Sequence, residues 1–490
     1  MTETAAPLAD TTESGLDDVL AAAAAAAPAF GALPPAARAA QLRAVADALD
    51  AAAGDLVPIA QAESRLPEAR CRAELGRTTF QLRFFADHIE EGSYLEAAID
   101  RADPDWGMGP RPDVRRMLQP LGPVLVFGAS NFPFAFSTAG GDTASALAAG
   151  SPVVVKAHPG HPRLAERTGA VVSKALADAG APEGVFAVVY GEETGRRAVQ
   201  HPAVRAVGFT GSIPGGRALH DLAASRPDPI PFYGELGSVN PVFVTRAAIA
   251  ARGDSVLAGY ADSFTLGSGQ FCTKPGVLLV PGETPLDALV ADVRARAGAP
   301  LLNGRVAGGF ANRLDALTAH PGTEVLAEGA DTGAGWTPSL LRTDVATLLA
   351  DPGALLEECF GPASLVVGYE DEESLVEVAS VLEGQLTATV HAEEADPVAP
   401  RLLAELAARA GRVLWNGWPT GVSVTHAMNH GGPYPASTSV LHTSVGSTAI
   451  RRFLRPVAYQ SVPDALLPEA LRDANPLGVP RRVDGRPETA

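Results

Sequence analysis

From Gly122 onward the chain keeps returning to one device, a short run of consecutive apolar residues followed by a helical stretch, and this alternation restricts the fold more than any other feature. Pro123 to Phe127, Pro152 to Lys156, Gly184 to Tyr190, Val204 to Phe209 and Ile230 to Tyr233 read as strands; Thr143 to Ala149, Arg163 to Ala179, Glu193 to Gln200 and Gly216 to Ala224 read as the helices between them. A strand that is apolar on both sides needs cover on both faces. Crossover helices supply it, so the pattern predicts a parallel sheet between two layers of helices. Such sheets bind ligands beyond the carboxyl ends of their strands.

The alternation starts afresh after about Asn240: strand Val242 to Val244, a helix through Ala258 to Phe264, strand Gly276 to Val280, helix Leu286 to Arg296, and strands Ser364 to Tyr369 and Gln385 to Val390. With 490 residues to bury, two cores are expected, and this is the second α/β domain. Ahead of the first sheet, Leu16 to Leu95 is rich in Ala and Leu at helical spacing and predicts antiparallel helices. Residues 1 to about 12 are polar and expected to be disordered, and Val114 to Leu118 reads as a strand leaving the main body. Beyond Trp415 the text is that of loops, and the tail from Pro463, with five prolines, is expected to pack on a neighbouring subunit or trail off. There is no internal repeat.

A formal charge of −18 argues against nucleic acid or an anionic membrane as partner, because either requires a basic face. The cysteines, Cys71, Cys272 and Cys359, are odd in number and far apart, which points to a reducing cytoplasm and not to a disulfide framework. Their spacing carries no zinc signature, and the ten histidines form no pair with them in sequence. Acidic residues and no Lys or Arg precede the Ala21 to Ala27 run, which excludes an ordinary signal peptide, and no apolar stretch is long enough to span a membrane.

Chemistry-bearing residues fall at the ends of these elements. Cys272 sits in Gly267-Ser268-Gly269-Gln270-Phe271-Cys272-Thr273, where glycines and short polar side chains suit a nucleophile better than a core thiol, a bland loop cysteine being the alternative. Phe209-Thr210-Gly211-Ser212-Ile213-Pro214-Gly215-Gly216 follows a strand and opens a helix, a place for a phosphate or simply a structural turn. Lys156 ends an apolar strand and either enters the ligand crevice or is solvated; His158 and His161 beside prolines read as loop histidines. Glu235, between glycines at a strand end, is expected to be partly desolvated with a raised pKa, fit to take a proton, unless it lies in a surface turn. Asn131, at another strand end before Pro133, offers an amide for half of an oxyanion hole.

Taken together, Ser130-Asn131-Phe132-Pro133, Lys156, Phe209-Thr210-Gly211-Ser212, Glu235-Leu236-Gly237, Gly269-Gln270-Phe271-Cys272 and Glu358-Cys359-Phe360-Gly361-Pro362 resemble, in this order, the NAD(P)-dependent aldehyde dehydrogenase superfamily, over about Ala21 to Pro476. Within it, Phe232 to Phe243, the surroundings of Cys272, Asn416 to Pro435 and Gly446 to Tyr459 resemble the branch acting on α-ketoglutaric semialdehyde (2,5-dioxopentanoate). The resemblance implies an α/β fold of two Rossmann-like open parallel-sheet domains plus a small oligomerisation segment: an NAD(P)-binding domain of residues 1–100 and 120–238, a catalytic domain of 239–442, and bridging segments 101–119 and 443–490. It implies a Cys272 thiolate attacking the aldehyde, an oxyanion held by Asn131 and the Cys272 N–H, and Glu235 activating water. It also implies a cofactor, NADP or NAD, held by Lys156, Gly211, Ser212, Gly216, Glu358 and Phe360, no metal, and a homodimer or homotetramer. Cys359 would then be a neighbour of the cofactor and not a second nucleophile.

Departures sharpen the expectations. Pro159 stands where NAD-preferring members carry a Glu, which admits NADP, with Thr194, Arg196 and Arg197 as possible 2′-phosphate partners. Ser130 replaces the usual Trp, and Lys274 or Arg455 is expected to supply positive charge for an anionic substrate. The rival readings are a fatty or aromatic aldehyde dehydrogenase, an inert structural oligomer, and a cysteine hydrolase, which would need a histidine beside the thiol.

Overall fold

The computed structural model describes residues 8–488. Its first sheet runs, in spatial order, Phe186–Val189, Val153–Lys156, Val124–Phe127, Ala206–Thr210 and Phe232–Glu235, all parallel. Val124–Phe127 and Val153–Lys156 are buried throughout, as runs apolar on both faces must be. From Val124–Phe127 the chain builds outward on one side and then crosses to the other with Ala206–Thr210, so a crevice opens above the carboxyl ends of these two strands. Asn131, Lys156, Ser212 and Glu235 all lie at or just past carboxyl strand ends of this one sheet.

The second sheet has seven strands in the order Glu324–Ala327, Ser339–Asp344, Ala363–Tyr369, Val277–Pro281, Val242–Val244, Gln385–His391 and Ala410–Trp415. It is parallel except for the edge strand Glu324–Ala327, which is antiparallel to its neighbour. A third sheet gathers distant pieces: Leu454–Gln460, Val114–Pro120, Ala98–Asp100, Arg481–Val483 and Arg486–Glu488. The Ala- and Leu-rich N-terminal text forms four helices, Glu13–Gly31, Pro35–Ala51, Ala53–Ser64 and Glu68–Glu91. Leu42, Leu49, Leu82 and Phe85 from these helices share one core with Val124 and Val153.

Several expectations are corrected. The disorder expected up to residue 12 falls partly on residues 1–7, outside the described residues. Residues 8–12 are held: Thr11 exchanges hydrogen bonds with Tyr190, and the Thr12 hydroxyl accepts from Gly15 N–H at 3.1 Å, capping the first helix. Main-chain pairing of this kind leaves no trace in hydropathy. The helix expected from Gly216 starts at Ile213 with Ser212 as its N-cap, and the helix around Ala258 extends over Arg246–Thr265 with a break at Arg252. The helix Gly304–Ala319 went unread, its glycines disguising helical text. Over its described residues the proline-rich tail does not trail off. Leu467, Leu471 and Val479 are buried in this chain's own core, and the last two strands complete the third sheet.

Candidate active site

The cysteine loop leaves the helix Arg246–Thr265 through three consecutive residues in the left-handed region, Gly267, Ser268 and Gly269. At Gly269, with φ of 65°, glycine is required twice over, because a Cβ there would meet the Gly361 carbonyl oxygen at 2.1 Å. That approach presses the loop of Cys272 against the loop of Glu358 to Gly361. The Asn240 amide then fixes the far side, donating to the carbonyls of Cys272 at 2.8 Å and Lys274 at 3.0 Å. Asn240 is itself oriented by hydroxyl donors from Ser238 and Thr387, both at 2.9 Å.

The thiol has a histidine partner that its sequence spacing concealed. His430 Nε2 lies 3.5 Å from Cys272 Sγ and 2.9 Å from Glu235 Oε1, and the latter contact lacks the alignment of a hydrogen bond. The expectation that no histidine pairs with cysteine is therefore corrected. His430 is carried into place by a turn that folds back on itself: His430 N–H donates to Thr443 Oγ1 at 2.7 Å, and Ser444 N–H donates to the His430 carbonyl at 2.8 Å. The Ser444 hydroxyl donates in turn to Glu235 Oε2. Ligand atoms of Glu235, Cys272 and His430 all lie within 4.8 Å of one another.

Electrostatics at this cluster reverse one expectation and sharpen another. Burial pushes the Glu235 carboxyl up, but the His430 ring at 2.9 Å and the Ser444 hydroxyl donor outweigh it and hold Glu235 below the usual carboxylate range. The raised pKa read from its glycine-flanked, desolvated setting does not occur, because desolvation is offset by donors from a distant segment. Burial pushes the Cys272 thiol well up, Glu235 and Glu358 push it further, and Arg77 and Arg412 oppose them. A neutral thiol therefore needs an adjacent base to react.

Asn131 Nδ2 donates to the Gln270 carbonyl at 3.2 Å, two residues before the nucleophile, which leaves its second N–H for another acceptor. Its loop is clamped by Glu74, whose Oε1 accepts from Phe134 and Ala135 N–H at 2.8 and 3.0 Å. Arg70 pairs with Glu74 at 3.5 Å and covers the rings of Phe132 and Phe271 at 4.6 and 4.4 Å.

Lys274 is not placed to greet an anion. Its ammonium is buried and donates to the Cys359 and Ala363 carbonyls, each at 2.8 Å, bracing the Glu358 loop from within. Arg455 lies exposed on the strand Leu454–Gln460 of the third sheet, across from Gln119.

The other end of the crevice has the donors a dinucleotide needs. Lys156 is buried, and among the described residues no carboxylate lies within 4.0 Å of it; desolvation lowers its pKa, with Glu192 opposing. The Ser212 hydroxyl caps the helix Ile213–Ala224, whose first turn contains Gly215 and Gly216. A Cβ at Gly216 would strike the Leu236 side chain at 2.2 Å, so this glycine serves close packing against the residue after Glu235. Glu358 lies against Gly237, where a Cβ would come within 2.6 Å of its Oε2, and burial raises its carboxyl to about 7 despite Lys274. Phe360 follows in the same loop, half-buried. A buried ammonium, a glycine-rich helix start and a carboxylate suit phosphate and ribose hydroxyls, so the residues fit an NAD(P) cofactor.

The proposed 2′-phosphate partners are already engaged. Thr194 donates to the Thr11 carbonyl at 3.2 Å, Arg197 pairs with Glu13 at 2.6 Å, and Arg196 lies 3.9 Å from Glu193. His430, Ser444, Asn240, Arg77 and Arg412 are site residues without a role in the sequence reading; the text around His430, Asn-His-Gly-Gly-Pro, falls in the stretch Asn416 to Pro435 that carries the resemblance, with no task given to its histidine.

The sequence profile of the aldehyde dehydrogenase family matches residues 2–457. The chain is 49% identical over 470 residues, covering 94% of it and 89% of the relative, to alpha-ketoglutaric semialdehyde dehydrogenase 2 of Azospirillum brasilense. It is 45% identical over 437 residues, covering 88% and 83%, to alpha-ketoglutaric semialdehyde dehydrogenase of Acinetobacter baylyi. Among solved structures, aldehyde dehydrogenase 21 of Physcomitrella patens superimposes with a TM-score of 0.78 at 22% identity, covering 95% of this chain and 94% of that one. A succinic semialdehyde dehydrogenase of Streptococcus pyogenes gives 0.77 at 19%, covering 94% and 97%. At those identities the structural likeness speaks for the fold. Read with the profile match and the two relatives, the crevice between thiol and buried lysine belongs to a known class of enzyme: the chain is a member of the aldehyde dehydrogenase family.

Proposed function

We propose that the chain oxidises α-ketoglutaric semialdehyde to 2-oxoglutarate with NAD or NADP, using Cys272 as nucleophile. The observation that carries the chemistry is the convergence of Cys272, His430 and Glu235 within 4.8 Å; the substrate is supported by the names of the two relatives. His430 Nε2 takes the thiol proton, and the sulfur bonds to the aldehyde carbon. Negative charge gathers on the former carbonyl oxygen, within reach of the free N–H of Asn131. The cofactor, when bound, supplies the acceptor for the hydride that this carbon gives up. Once His430 has released the thiol's proton to solvent, it takes a proton from water, hydroxide adds to the thioester carbon, and the expelled thiolate recovers that proton from His430, which frees the carboxylic acid and regenerates the thiol. Ionised Glu235, held below the usual range, stabilises the protonated imidazole in both halves of the cycle.

Lys156 would hold a ribose hydroxyl, Gly211, Ser212 and Gly216 the pyrophosphate, and Glu358 with Phe360 the nicotinamide end. Residues 1–100 and 120–238 would form the cofactor domain, 239–442 the catalytic domain, and 101–119 with 443–490 the bridge of a homodimer or homotetramer, which light scattering would test. Free Cys71 and Cys359, both buried, accord with a cytoplasmic protein, and no described helix is long and apolar enough to cross a membrane.

His430 also meets the requirement of a cysteine hydrolase, so the deciding experiment follows reduced-nicotinamide absorbance. Steady-state kinetics on the semialdehyde and on decanal, each with NAD and NADP, should give the higher kcat/KM for the semialdehyde. A higher value for decanal would replace the substrate, and a flat trace with every aldehyde would remove the activity.

A further inference from the structure

Two half-buried arginines converge on the loop that touches the thiol's neighbour. Arg77, on the helix Glu68–Glu91, and Arg412, on the edge strand Ala410–Trp415, have no carboxylate within 4.0 Å among the described residues, in a chain with 56 acidic and 38 basic side chains. Both reach the same loop: Arg77 Nη1 donates to the Val422 carbonyl, and Arg412 donates to Gly421 at 3.1 Å and Pro419 at 2.6 Å. That loop is tied to the nucleophile, since Gly421 N–H donates to the hydroxyl of Thr273, next to Cys272, at 3.1 Å.

Nε and Nη2 of Arg77 and Nε of Arg412 are buried with no protein partner among the described residues. Guanidinium donors shut away from water and left without an acceptor are costly, and an anionic ligand group would remove the cost. The Arg77 guanidinium stands 5.7 Å from the ring of Phe136, and that ring meets His430 edge-on at 6.5 Å, so one aromatic ring separates the cation from the thiol's base. Phe136 packs in one apolar cluster with Phe132, Val422 and Met428. Arg70, by contrast, is already paired with Glu74 and stacked between Phe132 and Phe271.

We propose that Arg77 and Arg412 form the subsite that binds the remote carboxylate of a short ω-oxo carboxylic acid while its aldehyde carbon faces Cys272. The inference rests on the proposed semialdehyde oxidation and assigns its substrate recognition to named residues. A short substrate cannot place its carboxylate far from its aldehyde, so the receptor must flank the thiol, and the loop that both arginines hold is hydrogen-bonded to Thr273, the residue after Cys272. The pair also answers how a protein of charge −18 attracts an anion: the field is local and low in dielectric.

The test compares kcat/KM for α-ketoglutaric semialdehyde and for pentanal, a neutral aldehyde of equal carbon number, in the wild type, Arg77→Met, Arg77→Lys and Arg412→Met. The ratio of the two values should fall about 100-fold in Arg77→Met, the effect of removing a charge-assisted hydrogen-bond pair, mainly through the KM of the semialdehyde. It should recover in part in Arg77→Lys, and inhibition by 2-oxoglutarate should weaken in parallel. A variant in which both substrates decline equally, with the ratio kept, would overturn the subsite and assign the arginines to packing or to the thiol. If Arg77→Met does not fold, Arg412→Met and Arg77→Lys read the same ratio, and an unchanged ratio in both overturns it. A wild type that shows no preference for the charged aldehyde would also overturn the subsite, whereas a wild type that turns over pentanal but not the semialdehyde would refute the semialdehyde activity on which it rests.

Discussion

The two ends of the crevice are built on opposite principles. At the thiol end, Cys272, Glu235, His430, Ser444 and Asn131 come from separate stretches, and the ionisation of Cys272 and of Glu235 depends on groups from other stretches. At the nucleotide end, Lys156 and the Ser212 to Gly216 turn lie at the ends of the two strands that flank Val124–Phe127 in one sheet, and each keeps its own local surroundings. The difference teaches that recognising a phosphate or a ribose asks for geometry that a strand end already offers, whereas moving protons at a buried sulfur asks for coupled groups that no single element can hold.

Substitutions can break that contrast. His430→Gln removes the base between thiol and carboxylate and should lower kcat by about 10²- to 10³-fold, the range for losing a general base, with cofactor binding kept; stopped-flow turnover together with fluorescence titration of NADPH checks both. Glu235→Gln should lower kcat by about 10²-fold while making the thiol easier to ionise. Glu235 is among the charges that push Cys272 up, so the pH profile of alkylation by iodoacetamide should move toward lower pH in this variant. A move toward higher pH would mean that Glu235 assists the thiol instead of opposing it.

At the nucleotide end the effects should be smaller and separable. Lys156→Met should weaken NAD(P) binding by about 10-fold, the loss of one charged donor, and leave the alkylation profile where it is. Glu358 provides the finest discrimination. Its folded carboxyl is raised to about 7, above the ordinary value of 4.5, so the stability it contributes is full below 4.5 and is lost as pH rises through about 7. Glu358→Gln removes that dependence, so its Tm relative to wild type should rise between pH 5 and pH 8; scanning calorimetry at both values would detect a Tm difference that stays constant and so contradicts the assignment.

The legibility of the site followed the same division. The first parallel sheet, four of the seven strands of the second, the strand-end positions of Lys156 and Glu235, and the suspicion attached to Cys272 came from hydropathy and glycine placement, which act over a few residues. His430 lies 158 residues beyond Cys272 in Gly- and Pro-rich text, and although the stretch Asn416 to Pro435 carries the family resemblance, no local pattern there ties this histidine to the thiol. The reversed pKa of Glu235 was hidden for the same reason, because local desolvation can be read from flanking glycines but a donor from Ser444, 209 residues away, cannot. Lys274 misled in the other direction: a lysine two residues past the nucleophile reads as a free charge until the fold turns it toward two backbone carbonyls.

By itself the sequence determined that strands and helices alternate, where glycines must stand, and which thiol lies in a loop open to chemistry. These follow from backbone sterics and from the burial of apolar runs, both short-range. Tertiary structure alone decided which histidine meets the thiol, which carboxylate is held ionised, and which arginines stay without a counter-ion. Those properties depend on charges a few ångströms apart in space and far apart in the chain, and electrostatic energy is set by the spatial distance.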